Sequence, residues 1–374
     1  MITRTLTNSL INYLKPGHVL ALFGARRTGK TVIMQTIIGA LKDKQVLMLN
    51  GEDMDVASVL TSRRQETLKN LVAGFDYLFI DEAQNIPQIG ASLKLLVDTQ
   101  PDVSIFVTGS ASFALRNQIG EPLTGRSTFF YLHPFSISEV TNSLIPAMQQ
   151  LPAILIYGMY PQVYLSENLT EKRRVLEGIK NGYLLKDVLQ LDNLKDSLFI
   201  INLLRYIALQ IGNDISYSEL ASNLNTTVKT VQRYLDILEK AFIIFRLQGF
   251  SRNLRKEIGK SPRFIFWDNG IRNAIISNFN PPENRDDMGK LWENFCISER
   301  IKKQQYAETF SNFYFWRTYD QQEIDLIEET NQKLSAFEFK WGKKMARTPK
   351  AFREGYPDAS FATINRMNFY DFLF

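Results

Sequence analysis

Apolar runs of about five residues recur along the first third of the chain, at Val19 to Phe23, Gln45 to Asn50, Tyr77 to Ile80, Val103 to Thr108 and Thr128 to Leu132, and amphipathic segments separate them. Short apolar strands alternating with helical periods predict a parallel sheet covered by helices, an α/β unit. From about Ser136 to Asp196 the pattern turns helical, broken by YGMYPQ at Tyr157 to Gln162, and predicts a small helical lid. Leu198 to about Ser277 continues with helices and then the strand-like runs FIIFRL and RFIFW. The Pro-, Asn- and Asp-rich segment Asn278 to Lys290 has the composition of an exposed linker, and a second α/β pattern follows it. The expected division is therefore 1–135, 136–196, 197–277 and 278–374.

Composition narrows the function classes. With 374 residues, 45% of them apolar, the chain can build more than one core. One cysteine, Cys296, excludes a disulfide framework, and only His18 and His133 accompany it, so no zinc-type Cys/His cluster is present. No apolar run reaches the roughly 18 residues needed to span a bilayer, and MITRTLTNSL lacks the apolar core of a signal peptide. The expectation is a cytoplasmic protein without a membrane partner. A net charge of +5 permits nucleic-acid binding without arguing for it, so the location of the charge matters more than its sum.

The sharpest motif is LFGARRTGKT, which follows a strand, opens a helix and fits G-x-x-x-x-G-K-[ST]. Its glycines let the backbone curl so that N–H groups face phosphate oxygens; the lysine offsets β/γ charge and the threonine hydroxyl can ligate Mg²⁺. Gly24, Ala25, Arg26, Arg27, Thr28, Gly29, Lys30, Thr31 and Val32 form the expected nucleotide cradle. YLFIDEAQ then ends a buried strand in two carboxylates: Asp81 to hold Mg²⁺ through water, Glu82 to polarise the attacking water. VSIFVTGSAS ends in Thr108 and Ser110; both suit a turn, and Ser110 is the choice for orienting that water.

GARRTGKT, LFIDEAQN, FVTGSAS, PLTGR leading into HPFS, YGMYPQ, LNTTVKTVQRYLDILEKAFIIF and FWDNGIRNAI occur in this order along almost the whole chain. In that order and spacing the chain resembles the AAA-type ATPases, and more narrowly a widespread prokaryotic family that joins such a domain to a C-terminal nuclease-like domain. The resemblance implies ATP as the nucleotide, and the chain lacks the N-K-x-D guanine signature. It also implies that Arg126 is an arginine finger reaching a neighbouring subunit of a homo-oligomer, and that Pro161 packs against the base.

Ile215 to Leu247 reads as a helix-turn-helix opening a winged helix. Leu220, Ala221 and Leu224 line one helix, and Val228, Val231, Leu235 and Leu238 recur on the next. Lys229, Gln232 and Arg233 fall on the opposite face, compatible with a DNA groove. Arg252, Arg255, Lys256, Lys260 and Arg263 then form a basic wing for a phosphate backbone. The same pattern suits a packing module.

The C-terminal part reads helix, three strands, helix, strand, the core order of the restriction-endonuclease-like, PD-(D/E)XK fold, with Thr348 and Pro349 at the start of the second helix. Glu338 and Lys340 share one face of a strand while Phe337 and Phe339 take the other. Asp325 and Glu338 are candidate ligands for Mg²⁺ or Mn²⁺, and Lys340 the group that stabilises developing charge. The resemblance adds Glu293 as a further ligand, with Glu299 as its substitute. A charged hairpin facing solvent carries the same tripeptide, and Gln322, Glu323 and Ile324 stand before Asp325 where the family has proline and aspartate.

Overall fold

Strands inside a parallel sheet are covered on both faces and so are apolar throughout, whereas edge strands are not. A computed structural model describes residues 2–110, 119–120, 122–184, 197–251 and 261–374. The chain divides into two compact units, residues 1–133 and 134–374.

In the first unit β1 (Val19–Phe23), β3 (Tyr77–Asp81) and β4 (Ser104–Gly109) form the interior of a five-stranded parallel sheet of order β2-β3-β4-β1-β5. β2 (Val46–Asn50) and β5 (Ser127–Tyr131) are its edges and are only partly buried, while β1 and β4 are buried along their whole lengths. Helices α1 (Leu6–Tyr13), α2 (Lys30–Ala40), α3 (Met54–Thr61), α4 (Gln65–Leu71) and α5 (Ile89–Thr99) accompany the sheet. Because the strands are parallel, the chain leaves β1, β3 and β4 at one edge. The register sets Phe23 beside Gly109 and Ile80 beside Val107, which brings the three candidate motifs together.

The second unit begins with α6 (Ile137–Val140), α7 (Leu144–Tyr157), α8 (Pro161–Leu165), α9 (Leu169–Ile179), α10 (Ser197–Leu209), α11 (Tyr217–Asn223) and α12 (Val228–Lys240). The hairpin of β6 (Ile244–Gly249) and β7 (Arg263–Phe266) leads to α13 (Asn269–Ile275) and the long α14 (Met288–Tyr306). β8 (Ser311–Arg317), β9 (Glu323–Thr330), β10 (Lys333–Phe339), α15 (Lys350–Gly355), β11 (Ser360–Ile364) and α16 (Phe369–Leu373) complete it. β6 pairs in parallel with β8 through Gln248↔Tyr314 and Gly249↔Phe315, so one six-stranded sheet runs β11-β10-β9-β8-β6-β7. Segments expected to be separate, 197–277 and 278–374, thus share a sheet. The helical segment is tied in as well: the Asn273 amide donates to the Leu155 and Ile156 carbonyls, 3.1 and 2.8 Å.

Other expectations shift locally. Arg285 pins the supposed linker, donating to Asp287 Oδ1 (2.8 Å) and to the Asn278 carbonyl (2.7 Å). Pro349, not Thr348, is the residue preceding α15, and no side chain caps that helix. Val228, expected in the core, is 37% exposed, whereas Val231, Leu235 and Leu238 are buried. No described helix is long and apolar enough to cross a membrane.

Candidate functional site

Between β1 and α2 the chain makes a turn that side chains would obstruct. A Cβ on Gly24 would lie 2.2 Å from the Leu132 carbonyl oxygen, and Gly29 adopts φ +98°. Both positions favour glycine. Thr28 Oγ1 closes the loop on the Ala25 carbonyl at 2.7 Å, and Lys30 Nζ points into it, donating to the carbonyls of Gly24 (3.0 Å) and Ala25 (3.1 Å). Arg27 is exposed in a left-handed conformation, Arg26 is half-buried and Val32 is exposed on α2.

Asp81, at the end of β3, is buried between two hydroxyls. Thr31 Oγ1 donates to Oδ2 at 2.7 Å, and Thr108 Oγ1, from the neighbouring β4, donates to Oδ1. The Thr108 oxygen also accepts the Glu82 N–H at 3.1 Å, so β4 fixes both acidic residues. Glu82 stands in the left-handed region, φ +50°, and its carboxylate accepts from the Gln84 amide nitrogen. That amide also donates to Ser110 Oγ (3.0 Å), and its oxygen accepts the Ser110 N–H (3.3 Å). Glu82, Gln84 and Ser110 are one hydrogen-bonded chain. The Thr31 hydroxyl and Asp81 carboxylate in contact are the donor set a Mg²⁺ ion with its waters takes, so these residues fit that ion.

In the second unit, β9 and β10 pair antiparallel with Phe337 opposite Leu326, and the same register sets Glu338 across from Asp325. Asp325 Oδ2 accepts the Phe339 N–H at 2.8 Å, and Lys340 Nζ donates to Glu338 Oε1 at 2.7 Å. Phe337 and Phe339 face the other way and pack on Phe372, with ring centroids 4.7 and 5.7 Å apart. Glu293, on α14, is also buried and pairs with Lys290 at 3.3 Å. Burial raises the pKa of Asp325 well above the usual carboxylate range, and the charges of Glu293 and Glu338 raise it further.

The four candidates of this centre are therefore together, but Arg263 stands among them. It is 1% exposed, and its Nη1 lies 3.5 Å from Glu293 and 4.0 Å from Asp325; the other nitrogens bind Asp214 (2.8 Å) and Glu323 (3.0 Å). This corrects its expected place on a phosphate-facing wing. Glu299 does not belong to the centre: it accepts the Ile137 N–H (2.6 Å) and pairs with Lys302 (2.7 Å). Among the described residues, no group of three or more His, Cys, Asp or Glu side chains is arranged to hold a metal ion. The carboxylates of this centre, with a guanidinium between two of them, do not fit a divalent cation.

Residues 16–141 match the family model described as AAA domain. The first unit carries an AAA domain. Two further models, both described as domains of unknown function, DUF8612 and DUF4143, match residues 148–282 and 288–370. An uncharacterized protein of Methanocaldococcus jannaschii is 24% identical over 94% of this chain and 82% of its own length, and one of Mycobacterium tuberculosis is 26% identical over 86% and 70%. Among solved structures, AMPPCP-bound DnaA from Aquifex aeolicus aligns at 13% identity and a TM-score of 0.29, covering 63% of this chain and 84% of that one. Drosophila ORC bound to DNA aligns at 11% and 0.27, covering 75% and 95%.

Within the AAA domain, Arg126 lies far from the loop of its own chain. It precedes β5, whose Ser127 pairs with Val19, whereas the loop follows Phe23 at the other end of β1, about 16 Å away at roughly 3.3 Å per residue. Its guanidinium contacts Asp98 at 2.5 Å. Two residues of the first unit escaped sequence reasoning. Gln84 carries no signal beyond its place two residues after Glu82. Arg4, buried, donates to the Thr28 carbonyl (2.6 Å) and the His133 carbonyl (2.7 Å), bracing the loop from the segment ahead of β1. In the second unit, Pro161 opens α8, and Lys229, Gln232 and Arg233 are exposed on α12. Arg252, Arg255, Lys256 and Lys260 lie outside the described residues.

Proposed function

We propose that the AAA domain binds and hydrolyses ATP with Mg²⁺, and that the second unit carries the resulting change to DNA. The observation behind this reading is the Asp81 carboxylate, held by Thr31 of the phosphate loop and by Thr108 of the next strand, with Glu82 beside it. Mg²⁺ supplies the charge that neutralises the β- and γ-phosphates. Lys30 leaves its carbonyl partners for those phosphates, Glu82 takes the proton of the attacking water, and Ser110 orients that water. Arg126 acts only on a neighbour in a homo-oligomer, because its own loop is out of reach, and Pro161 packs on the adenine.

In the second unit α11, α12 and the β6–β7 hairpin are read as a winged helix, with Lys229, Gln232 and Arg233 toward a groove and Arg252, Arg255, Lys256 and Lys260 toward phosphates. The rest is read as a restriction-endonuclease-like core. The loop after β10 and the helix α15 that follows it support contact with DNA: Lys343, Lys344 and Arg347 in the loop and Arg353 on α15 are exposed and have no carboxylate partner among the described residues. A second reading, a nucleotide-controlled switch that binds DNA without cutting it, is favoured by the guanidinium in the acidic centre. Anisotropy of labelled duplex DNA against salt, with and without ATP, tests the DNA partner. Replacing Lys343, Lys344 and Arg347 by glutamine should weaken binding for every sequence and flatten the salt dependence; unchanged affinity and slope would remove DNA from the account.

A further inference from the structure

Five carboxylates, Asp214, Glu293, Glu323, Asp325 and Glu338, converge where β7, β9, β10, α14 and the segment before α11 meet. Among the described residues four cations face them: Arg263, Lys290 on Glu293, Arg317 on Asp214 at 2.9 Å, and Lys340 on Glu338. Arg263 alone touches four of the five acids and also lies over the Phe315 ring, 4.4 Å from its centroid. A planar guanidinium offers five donors in a fixed fork, against three on an ammonium, and so can span more acids at once. Burial raises the pKa of both Asp325 and Glu293; at Asp325 the charges of Glu293 and Glu338 add to it, whereas at Glu293 the cations Lys290 and Arg263 oppose it.

We propose that Arg263 is the resident cation of this centre, standing between the carboxylates that a catalytic divalent ion would need, so that the second unit engages nucleic acid without metal-dependent strand cleavage. This rests on the reading of the second unit as a restriction-endonuclease-like core. Among the described residues of the centre, Glu338 Oε2 is the oxygen that is both fully buried and without a hydrogen-bond partner. A single free oxygen is a poor site for an ion that takes six or more oxygen ligands. Loss of the guanidinium releases the facing oxygens of Glu293 and Asp325 toward that same spot. Arg263 thus does two things: it closes the ion site, and it ties β7 to β9 and α14.

The probe is Mn²⁺ alone, without nucleotide or DNA, followed by the electron paramagnetic resonance of free Mn²⁺ on the full chain. An Asp81→Asn background removes the carboxylate of the nucleotide site. With Arg263 intact, Asp325→Asn should leave Mn²⁺ retention unchanged. Arg263→Gln should lower the melting temperature by roughly 10 °C and create a site binding Mn²⁺ about tenfold tighter or better, lost again when Asp325→Asn is added. Mn²⁺ held by the Arg263-intact protein and released by Asp325→Asn overturns the proposal, as does a folded Arg263→Gln protein that gains no site. Should Arg263→Gln not fold, the Arg263-intact pair decides alone. Absence of DNA binding would instead strike the reading of the unit's partner and leave the Mn²⁺ result standing.

Discussion

Gln84 gives the most informative single substitution. Its amide nitrogen holds both the Glu82 carboxylate and the Ser110 hydroxyl, and its oxygen takes the Ser110 N–H. Gln84→Ala removes all three bonds while touching nothing between Gly24 and Val32. The stability cost should be modest, about 1–3 kcal/mol, because one of the bonds is to a carboxylate and the site is only half-buried. The cost to chemistry should be larger. A positioned general base contributes roughly 10²–10⁴-fold, and misplacing a reacting group by about 1 Å costs on the order of 10². We therefore expect kcat for ATP to fall about 30–100-fold while the Kd for a fluorescent ATP analogue changes less than about threefold. Phosphate release at saturating ATP and a binding titration measure the two. Because Gln84 acts through Glu82, the Gln84→Ala/Glu82→Gln double variant should be no slower than Glu82→Gln alone. A kcat within twofold of wild type, or a Kd that worsens in step with kcat, refutes the positioning role.

Gly24→Ala places a methyl 2.2 Å from the Leu132 carbonyl and should abolish measurable nucleotide binding, checked by the same titration; retained affinity would mean that the loop shifts at little cost. Arg126→Ala should abolish hydrolysis yet spare ATP binding and leave the melting temperature within about 2 °C, since the exposed pair with Asp98 contributes at most about 1 kcal/mol; unaltered turnover would exclude a finger role. Burial raises the pKa of Asp268, opposed by the N–H groups of Met159 and Ile271. The folded state therefore holds this proton where the unfolded chain has lost it, so the contribution of Asp268 is full below about pH 4 and declines as pH climbs through the raised pKa. Asp268→Asn should flatten that decline in a melting series from pH 4 to 8, and an unchanged slope would assign it elsewhere.

Much of the first unit was legible because its cause is local. β1, β3 and β4 are buried inside a parallel sheet and carry the apolar runs VLALF, LFI and IFV, so they could be read directly, and the phosphate loop is a contiguous motif. Asp81 and Glu82 end such a run. The second unit was legible by element but not by assembly. The pairing of Gln248 with Tyr314 joins residues far apart in sequence and leaves no periodic trace, so one sheet read as two domains. Arg263 was misread for a related reason: in a basic stretch a lone arginine reads as surface charge, and only the fold carries Asp214, Glu293, Glu323 and Asp325 to it. Glu299 had the right chemistry on the right helix, but its position along α14 turns it to Lys302 and the Ile137 N–H.

The central claim, that the AAA domain turns over ATP through Glu82, is tested most directly by Mg²⁺-dependent phosphate release from wild type and Glu82→Gln, with analogue binding measured on the same samples. The account predicts steady release by wild type, release reduced at least about 10²-fold in Glu82→Gln, and equal affinity in both. Equal turnover in the two proteins, or none in a wild type that binds ATP, would contradict it.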